Sequence, residues 1–403
     1  MDQGNDNVVR VYLKENIKNR IRNGHPWIYE GEIDRIEGDF QDGDVVAVFH
    51  HSGDFLGKGY INSRSKIRVR LLTRRNENIN SEFFRRRIKS ILDWKLPLTH
   101  DTEAFRVIFS EADGLPGLVV DKFSDYLVVQ IGTLGMERLK PLILDALIDV
   151  FDPEGIYEKS DYAAREKEGL EPFRGWIYKT GPELIEFEMN GLKFFADTLG
   201  QKTGFFLDQR VNATLLKDFA PGMVALDVFS YTGNFSAHLL KYGAKHVRLI
   251  DYSERALEVA KLTLERNGFS GKFELVHANA FDELRKIHHS GERFDLIVLD
   301  PPAFAKSYED RKGAYRGYKE INLRSMKILK DGGILVTSSC SRVVSEQDFS
   351  IVLYDAASDT KTRLRILKKG GQPPDHSPIL NIFETFYLKF FVIRVEKGGE
   401  RWI

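Results

Sequence analysis

Four side chains combine a reactive type with a telling place in the chain: Cys340, Asp300, Asp227 and Asp251. Cys340, in VTSSCS (Val336 to Ser341), is the one cysteine among 403 residues. As a thiolate it is a nucleophile that adds to electron-poor carbon, whereas as a thiol ending an apolar strand it is an ordinary core filler. The residue alone leaves both readings open. Asp300 opens the Asp-Pro-Pro of LDPPAFAKS (Leu299 to Ser307). Pro301 and Pro302 fix φ and turn the chain out of the preceding strand, which leaves the Asp300 carboxylate at the rim. Asp227, in LDVFSYTGNFS, ends a strand ahead of Gly233, which sits in the turn entering the next helix. Asp251 ends the following strand, where a carboxylate can accept both hydroxyls of a ribose. The plainer readings are a turn residue for Asp227 and a capping neighbour of Ser253 for Asp251. With no G-x-G-x-x-G and no Walker A lysine, dinucleotide or triphosphate binding is disfavoured.

The elements that must position these groups begin at about Leu192. MVALDVFS, HVRLIDY, FELVHAN, FDLIVLD and GILVTSS are five short apolar strands with helical stretches between them. One such stretch is SERALEVAKLTLERNG, with Ser253 as N-cap and Gly268 as terminator. The alternation predicts an α/β fold with a doubly wound parallel sheet. In such a sheet the fifth strand lies beside the fourth, so Cys340 and Asp300 can share a pocket. RLRILKKG and TFYLKFFVIRV follow with no helix between them and predict an antiparallel hairpin at the sheet edge. Earlier, DVVAVFH, FLGKGYIN and KIRVRLL alternate as in a small β-barrel. SEFFRRRIKSILDWKL has helical apolar spacing at Phe84, Ile88, Ile91 and Leu92. FRVIFSEADGLPGLVVDKFSDYLVVQIG reads as two or three strands, and a helix from about Met136 to Val150 and the strand GIYEKS follow. The division is 1–73, a small β-barrel; 74–186, an α+β module; and 187–403, the parallel α/β domain.

Composition narrows the class. With 42% hydrophobic and 29% charged residues the chain reads as globular, and 59 basic residues balance 59 acidic ones, so no global field draws it to nucleic acid. Between Arg64 and Lys89, however, ten basic residues face Glu77 and Glu82, a local net of 10 − 2 = +8. That block is either a solvated helix face or a phosphate-contacting surface. A polar start, MDQGNDNVVR, a single cysteine and no long apolar run point to the cytoplasm, with no membrane partner and no metal site.

LDVFSYTGNFS, HVRLIDY and HANAF together resemble the class I S-adenosylmethionine-dependent methyltransferases, with their Rossmann-like sheet. The resemblance implies S-adenosyl-L-methionine as cofactor. It sets Asp227, Phe229, Tyr231, Thr232 and Gly233 around the methionine part, Asp251 on the ribose, and Asn279 and Ala280 beside the adenine. Many members carry Asp where this chain has Asn279, whose amide carbonyl can still meet the adenine amine. More of the chain then falls into place. GHPWIYEGEI, DGDVVAVF and GKGYIN look like an N-terminal PUA domain, a small RNA-binding barrel. EADGLPGLVVDKF, YEKSDYAAREKEGL, GQKTGFFLDQR (Gly200 to Arg210), RGYKEIN and the SCS of Ser339 to Ser341 resemble the bacterial large-subunit (23S) ribosomal RNA cytosine-C5 methyltransferase family.

That family implies Cys340 as nucleophile toward cytosine C6 and Asp300 as the acid on the base. Asp208, Gln209 and Arg210 are implied at the cofactor or the base, with Gln209 and Arg210 set on the cofactor side, and Pro301, Phe304, Phe206 and Lys306 on the substrate side. The partner implied is 23S rRNA, free or in an assembly intermediate, and a homodimer is a further expectation. Asp300, a water or Lys306 could take the C5 proton. A relative methylating a guanine ring nitrogen needs no covalent adduct and would leave Cys340 structural. A non-catalytic ribosome assembly factor would have lost motif residues, and Asp227, Gly233, Asp251, Asp300 and Cys340 are all retained.

Overall fold

The structure is a computed structural model describing residues 8–16, 18–163, 165–305 and 309–398. Lys306, expected on the substrate side, lies outside the described residues. The chain forms two compact units: Met1–Ile185 with Gln201–Thr203 and Pro374–Thr385, and Glu186–Gly200 with Gly204–Pro373 and Phe386–Ile403.

The first unit carries two sheets. Six strands pair in the order Trp27–Tyr29, Ile67–Thr73, Phe55–Ile61, Val45–Phe49, Arg10–Leu13, Ile33–Glu37. Their inward residues Val11, Ile28, Val46, Val48, Ile61 and Val69 form one core. Five more strands pair in the order Phe173–Tyr178, Gly155–Ser160, Tyr126–Ile131, Leu118–Phe123, Ala104–Phe109. The helices Ser81–Lys95 and Leu134–Phe151 share a second core with this sheet. Phe84, Ile88, Ile91 and Leu92 are buried there, as their helical spacing predicts.

The basic block of Arg64–Lys89 is largely neutralised within the unit. Arg70 is buried against Glu168 at 2.8 Å, Arg68 pairs with Glu30 at 2.7 Å, Arg85 meets Glu82 and Asp149, and Arg86 meets Glu77. Arg74 and Arg87 donate to backbone carbonyls of Ile21, His25 and Leu72. A count along the sequence sees only Glu77 and Glu82 as counter-charges; folding brings in Glu30, Asp149 and Glu168. Arg64, Lys66, Arg75 and Lys89 remain exposed.

In the second unit a hairpin of Leu184–Met189, two residues of which precede the unit, and Leu192–Asp197 leads into the main sheet. The strands are β1 (Val224–Val228), β2 (His246–Asp251), β3 (Phe273–His277), β4 (Phe294–Leu299), β5 (Leu329–Ser339), β6 (Thr362–Gly370) and β7 (Lys389–Lys397). They lie in the order β3-β2-β1-β4-β5-β7-β6, the first five parallel. The helices are α1 (Asn234–Lys241), α2 (Glu254–Arg266), α3 (Ala280–Ser290), α4 (Arg311–Ile328) and α5 (Glu346–Thr360). β6 and β7 pair antiparallel at the sheet edge as expected, with β7 on the inner side, between β5 and β6. Its residues from Phe390 to Ile393 are buried, because a strand flanked on both sides must be apolar on both faces.

Candidate active site

The β1–α1 turn is the first half of the site. Asp227 is fully buried, and its Oδ2 accepts from the Ser236 amide at 3.1 Å and from Ser236 Oγ at 2.6 Å. Its Oδ1, the Thr232 hydroxyl and both ends of the Asn234 amide are buried with no protein partner. Burial is the main cause that pushes the Asp227 carboxyl up to about 7, with the Asp300 charge adding to it. Phe229 and Tyr231 hold φ of +64° and +46°, a conformation that costs non-glycine residues energy and is typically kept at functional turns. Gly233 follows at φ +82°, where an added Cβ would also lie 3.2 Å from Ala260 Cβ. Buried acceptors and donors without partners beside a strained turn are what a bound ammonium and carboxylate would satisfy. The methionine part of S-adenosylmethionine fits this set, and Asn234 is a member that the sequence reading left out, although it stands inside TGNFS.

Asp251 ends β2 with Oδ2 accepting from the Tyr231 amide and Oδ1 from the Ser253 amide, each at 2.8 Å. The carboxylate is thus fixed while its remaining lone pairs stay open to ribose hydroxyls. Asn279 departs from expectation. Its Oδ1 caps α3, accepting from Phe281 N at 3.0 Å and Asp282 N at 3.4 Å. The carbonyl expected on the adenine amine is taken by the helix N-terminus, whose orphan N–H groups lie closer in the chain. Ala280 is the buried first residue of the same helix.

The second half lies at the ends of β4 and β5. Asp300 Oδ1 accepts from Gln209 Nε2 at 2.7 Å and from Ser338 Oγ at 2.5 Å, which leaves Oδ2 for a ligand. Burial pushes its carboxyl up to about 7, against the two hydrogen bonds and with help from the Asp208 charge. Gln209, expected at the cofactor or the base, is held between Asp300 and Asn212, whose Nδ2 donates to Gln209 Oε1 at 2.7 Å. Both ends of its amide are engaged, so it positions Asp300. Arg210 is fully buried in the interior of the unit. Cys340 is the first residue beyond β5, half-buried, with Sγ 3.8 Å from the Pro301 carbonyl. The β4–β5 register, Leu299 opposite Thr337, brings the two motifs together.

Around them, Phe206 and Tyr231 meet edge to face with centroids 4.9 Å apart. Phe304 packs on Tyr318 at 4.7 Å, Phe281 at 5.9 Å and Phe229 at 6.4 Å, so this ring belongs to an aromatic cluster as well as to the loop. One residue near Cys340 escaped the sequence reading. Lys389 begins β7 opposite Ser339, buried, and donates to the carbonyls of Ser341 at 2.5 Å and Tyr387 at 2.8 Å. A lysine between Leu388 and Phe390 in an apolar strand was the available signal. Among the described residues no His, Cys, Asp or Glu cluster could hold a metal ion, and no helix is long and apolar enough to cross a membrane.

Comparison with known proteins agrees with this geometry. Residues 11–74 match the PUA-like domain family, and residues 171–381 match the S-adenosylmethionine-dependent methyltransferase family. The chain is 38% identical over 398 residues to the ribosomal RNA large subunit methyltransferase I of Aliivibrio fischeri, covering 96% of this chain and 99% of that one. It is 39% identical over 393 residues to the protein of the same name from Aeromonas salmonicida, with coverage of 96% and 99%. Among solved structures, a SAM-dependent methyltransferase from Streptococcus mutans superposes with a TM-score of 0.81 at 21% identity, over 96% of this chain and 99% of that one, a likeness of fold.

Proposed function

Because the chain belongs to the S-adenosylmethionine-dependent methyltransferase family, with large-subunit ribosomal RNA methyltransferases among its relatives, we propose that it methylates C5 of a cytosine in 23S ribosomal RNA through a covalent Cys340 adduct. The observation that carries the reading is the seating of the chain's one thiol against the Asp300 loop, with Cys340 Sγ 3.8 Å from the Pro301 carbonyl. A thiol so placed serves carbon methylation, which needs an adduct, and is idle in nitrogen methylation, which does not.

S-adenosylmethionine supplies an electrophilic methyl group on its sulfonium. The protein's part is to make cytosine C5 nucleophilic. Cys340 adds as thiolate to C6: the S–C6 bond forms, and the C5–C6 π pair moves into the ring toward C5 and N3. Asp300, half-protonated near neutrality, donates to N3 through Oδ2 and stabilises that charge. Gln209 and Ser338 hold the carboxyl in place. After methylation a base or water takes the C5 proton; the C5–H pair re-forms the C5–C6 double bond, and the S–C6 pair leaves with sulfur as the Cys340 thiolate. The target base is flipped from its stack to reach the site, where Phe206 and Tyr231 offer ring faces and edges. Residues 1–73 dock the RNA, 74–186 form the intervening module and 187–403 carry the chemistry.

RNA containing 5-fluorocytosine tests the mechanism, since fluorine at C5 cannot leave as a proton would and the adduct accumulates. With S-adenosylmethionine, the protein is expected to form a denaturation-resistant complex that Cys340→Ala abolishes. A complex that survives Cys340→Ala, or a methylguanine in digests of the product, sinks the proposal.

A further inference from the structure

A buried ammonium needs an anion. Lys389 is 9% exposed, yet both hydrogen bonds of its Nζ go to neutral carbonyls, those of Ser341 and Tyr387. The carboxylates that act on it at a distance are Glu346 and Asp348, from the start of α5. Both are engaged elsewhere: Glu346 with Lys369 at 2.5 Å, and Asp348 with Arg311 and the Ser345 cap. The remaining charge acting on Lys389 is that of Cys340. Lys389 meets the chain on both sides of this thiol, pairing with Ser339 in the sheet and donating from Nζ to the carbonyl of Ser341.

We propose, building on the reading of Cys340 as nucleophile, that the Lys389 ammonium is the counter-charge that keeps Cys340 ionised, and so positions it as a thiolate. Ionisation releases the thiol proton to water and leaves a thiolate–ammonium pair. Three further observations fit. Burial is the main cause that pulls Lys389 down to about 8, and the Cys340 charge is the largest of those that oppose it. Tyr318, beside Cys340, is pushed up to about 12 by burial and stays neutral, and Asp300, whose neighbour Pro301 meets Sγ, is an acid, so neither supplies a positive charge. Arg342, the sequence neighbour that could have served, is exposed to solvent and therefore screened.

The single cysteine makes the test direct, because a thiol reagent reads Cys340 with no background. The alkylation rate of the full-length protein by iodoacetamide is followed from pH 5 to pH 10. The wild-type midpoint is expected at least one unit below the reference thiol value of about 8.5. Lys389→Gln, which keeps a donor for the two carbonyls, and Lys389→Met are each expected to raise it by about one unit. Lys389→Arg is expected to hold it near wild type. Two neutral variants guard against one failing to fold. An unshifted midpoint in either folded neutral variant overturns the pair. Alkylation uses no RNA, so the two readings fail separately. A shifted midpoint without a 5-fluorocytosine adduct removes the nucleophile and leaves the pair; an adduct with an unshifted midpoint removes the pair alone.

Discussion

At the scale of single residues, the site is organised by carboxyls whose burial keeps them near their midpoint at neutral pH. Asp227 has the clearest consequence. Its free-state value of about 7 reflects desolvation, and a ligand ammonium beside Oδ1 favours the ionised form. Binding therefore releases a proton wherever the free carboxyl is protonated, that is, below about pH 7. The affinity for S-adenosylhomocysteine is expected to rise about tenfold between pH 5.5 and pH 7 and to level off above. Titration calorimetry in buffers of different ionisation enthalpy reads the released proton. Asp227→Asn is expected to weaken binding by 10- to 100-fold, on the order of 1.5–3 kcal/mol for a charged hydrogen bond, and to abolish the slope. A slope that persists in the variant assigns the proton to another group. Asp227, Asp251, Asp300 and Cys340 were legible in the sequence because each ends a strand, and strand ends can be read from the apolar pattern. Gln209 and Asn279 were legible as site residues but not in their roles. Amides bond whatever lies nearest, and only the folded chain shows that to be Asp300 for one and the start of α3 for the other.

At the scale of elements, the parallel strands and their helices announce themselves through local signals. SERALEVAKLTLERNG carries both of its ends, and the structure shows Ser253 Oγ accepting from Ala256 N at 3.2 Å. Removing that cap in Ser253→Ala is expected to destabilise the second unit by about 1 kcal/mol, a melting shift of roughly 2–4 °C. Since the Ser253 amide also fixes Asp251, the backbone must stay in place for cofactor affinity to survive; an unchanged affinity with a lower melting temperature is the expected pair of results. The position of β7 was not legible. An antiparallel partner reads the same from either side, and only the two-sided burial of Phe390 to Ile393, which the run YLKFFVI allows but does not dictate, sends it between β5 and β6. That insertion is also what delivers Lys389 to Cys340.

At the scale of the whole molecule, charge is the property most changed by folding. The +8 block of Arg64–Lys89 could be read from sequence as a solvated helix face or a phosphate-contacting surface, but Arg70 is sealed against Glu168, which also accepts from Ser65 and Asn62. Breaking such a buried pair from one side leaves an uncompensated carboxylate. Arg70→Met is expected to destabilise the protein by about 3 kcal/mol or more in urea titration. It should leave the salt dependence of RNA affinity unaltered, because that guanidinium never faces a phosphate. Arg64, Lys66, Arg75 and Lys89 are the exposed members whose side chains make no ion pair or backbone-carbonyl bond among the described residues. Each phosphate that one of them neutralises contributes roughly 0.7–0.9 to the slope of log K against log salt. Replacing all four by Ala is therefore expected to flatten the slope by about 3 while leaving the melting temperature within a few degrees. Filter binding of an rRNA fragment between 50 and 300 mM salt reads the difference. An unchanged slope in the quadruple variant moves the RNA-docking face away from this block, whereas a flattened slope in Arg70→Met contradicts its burial.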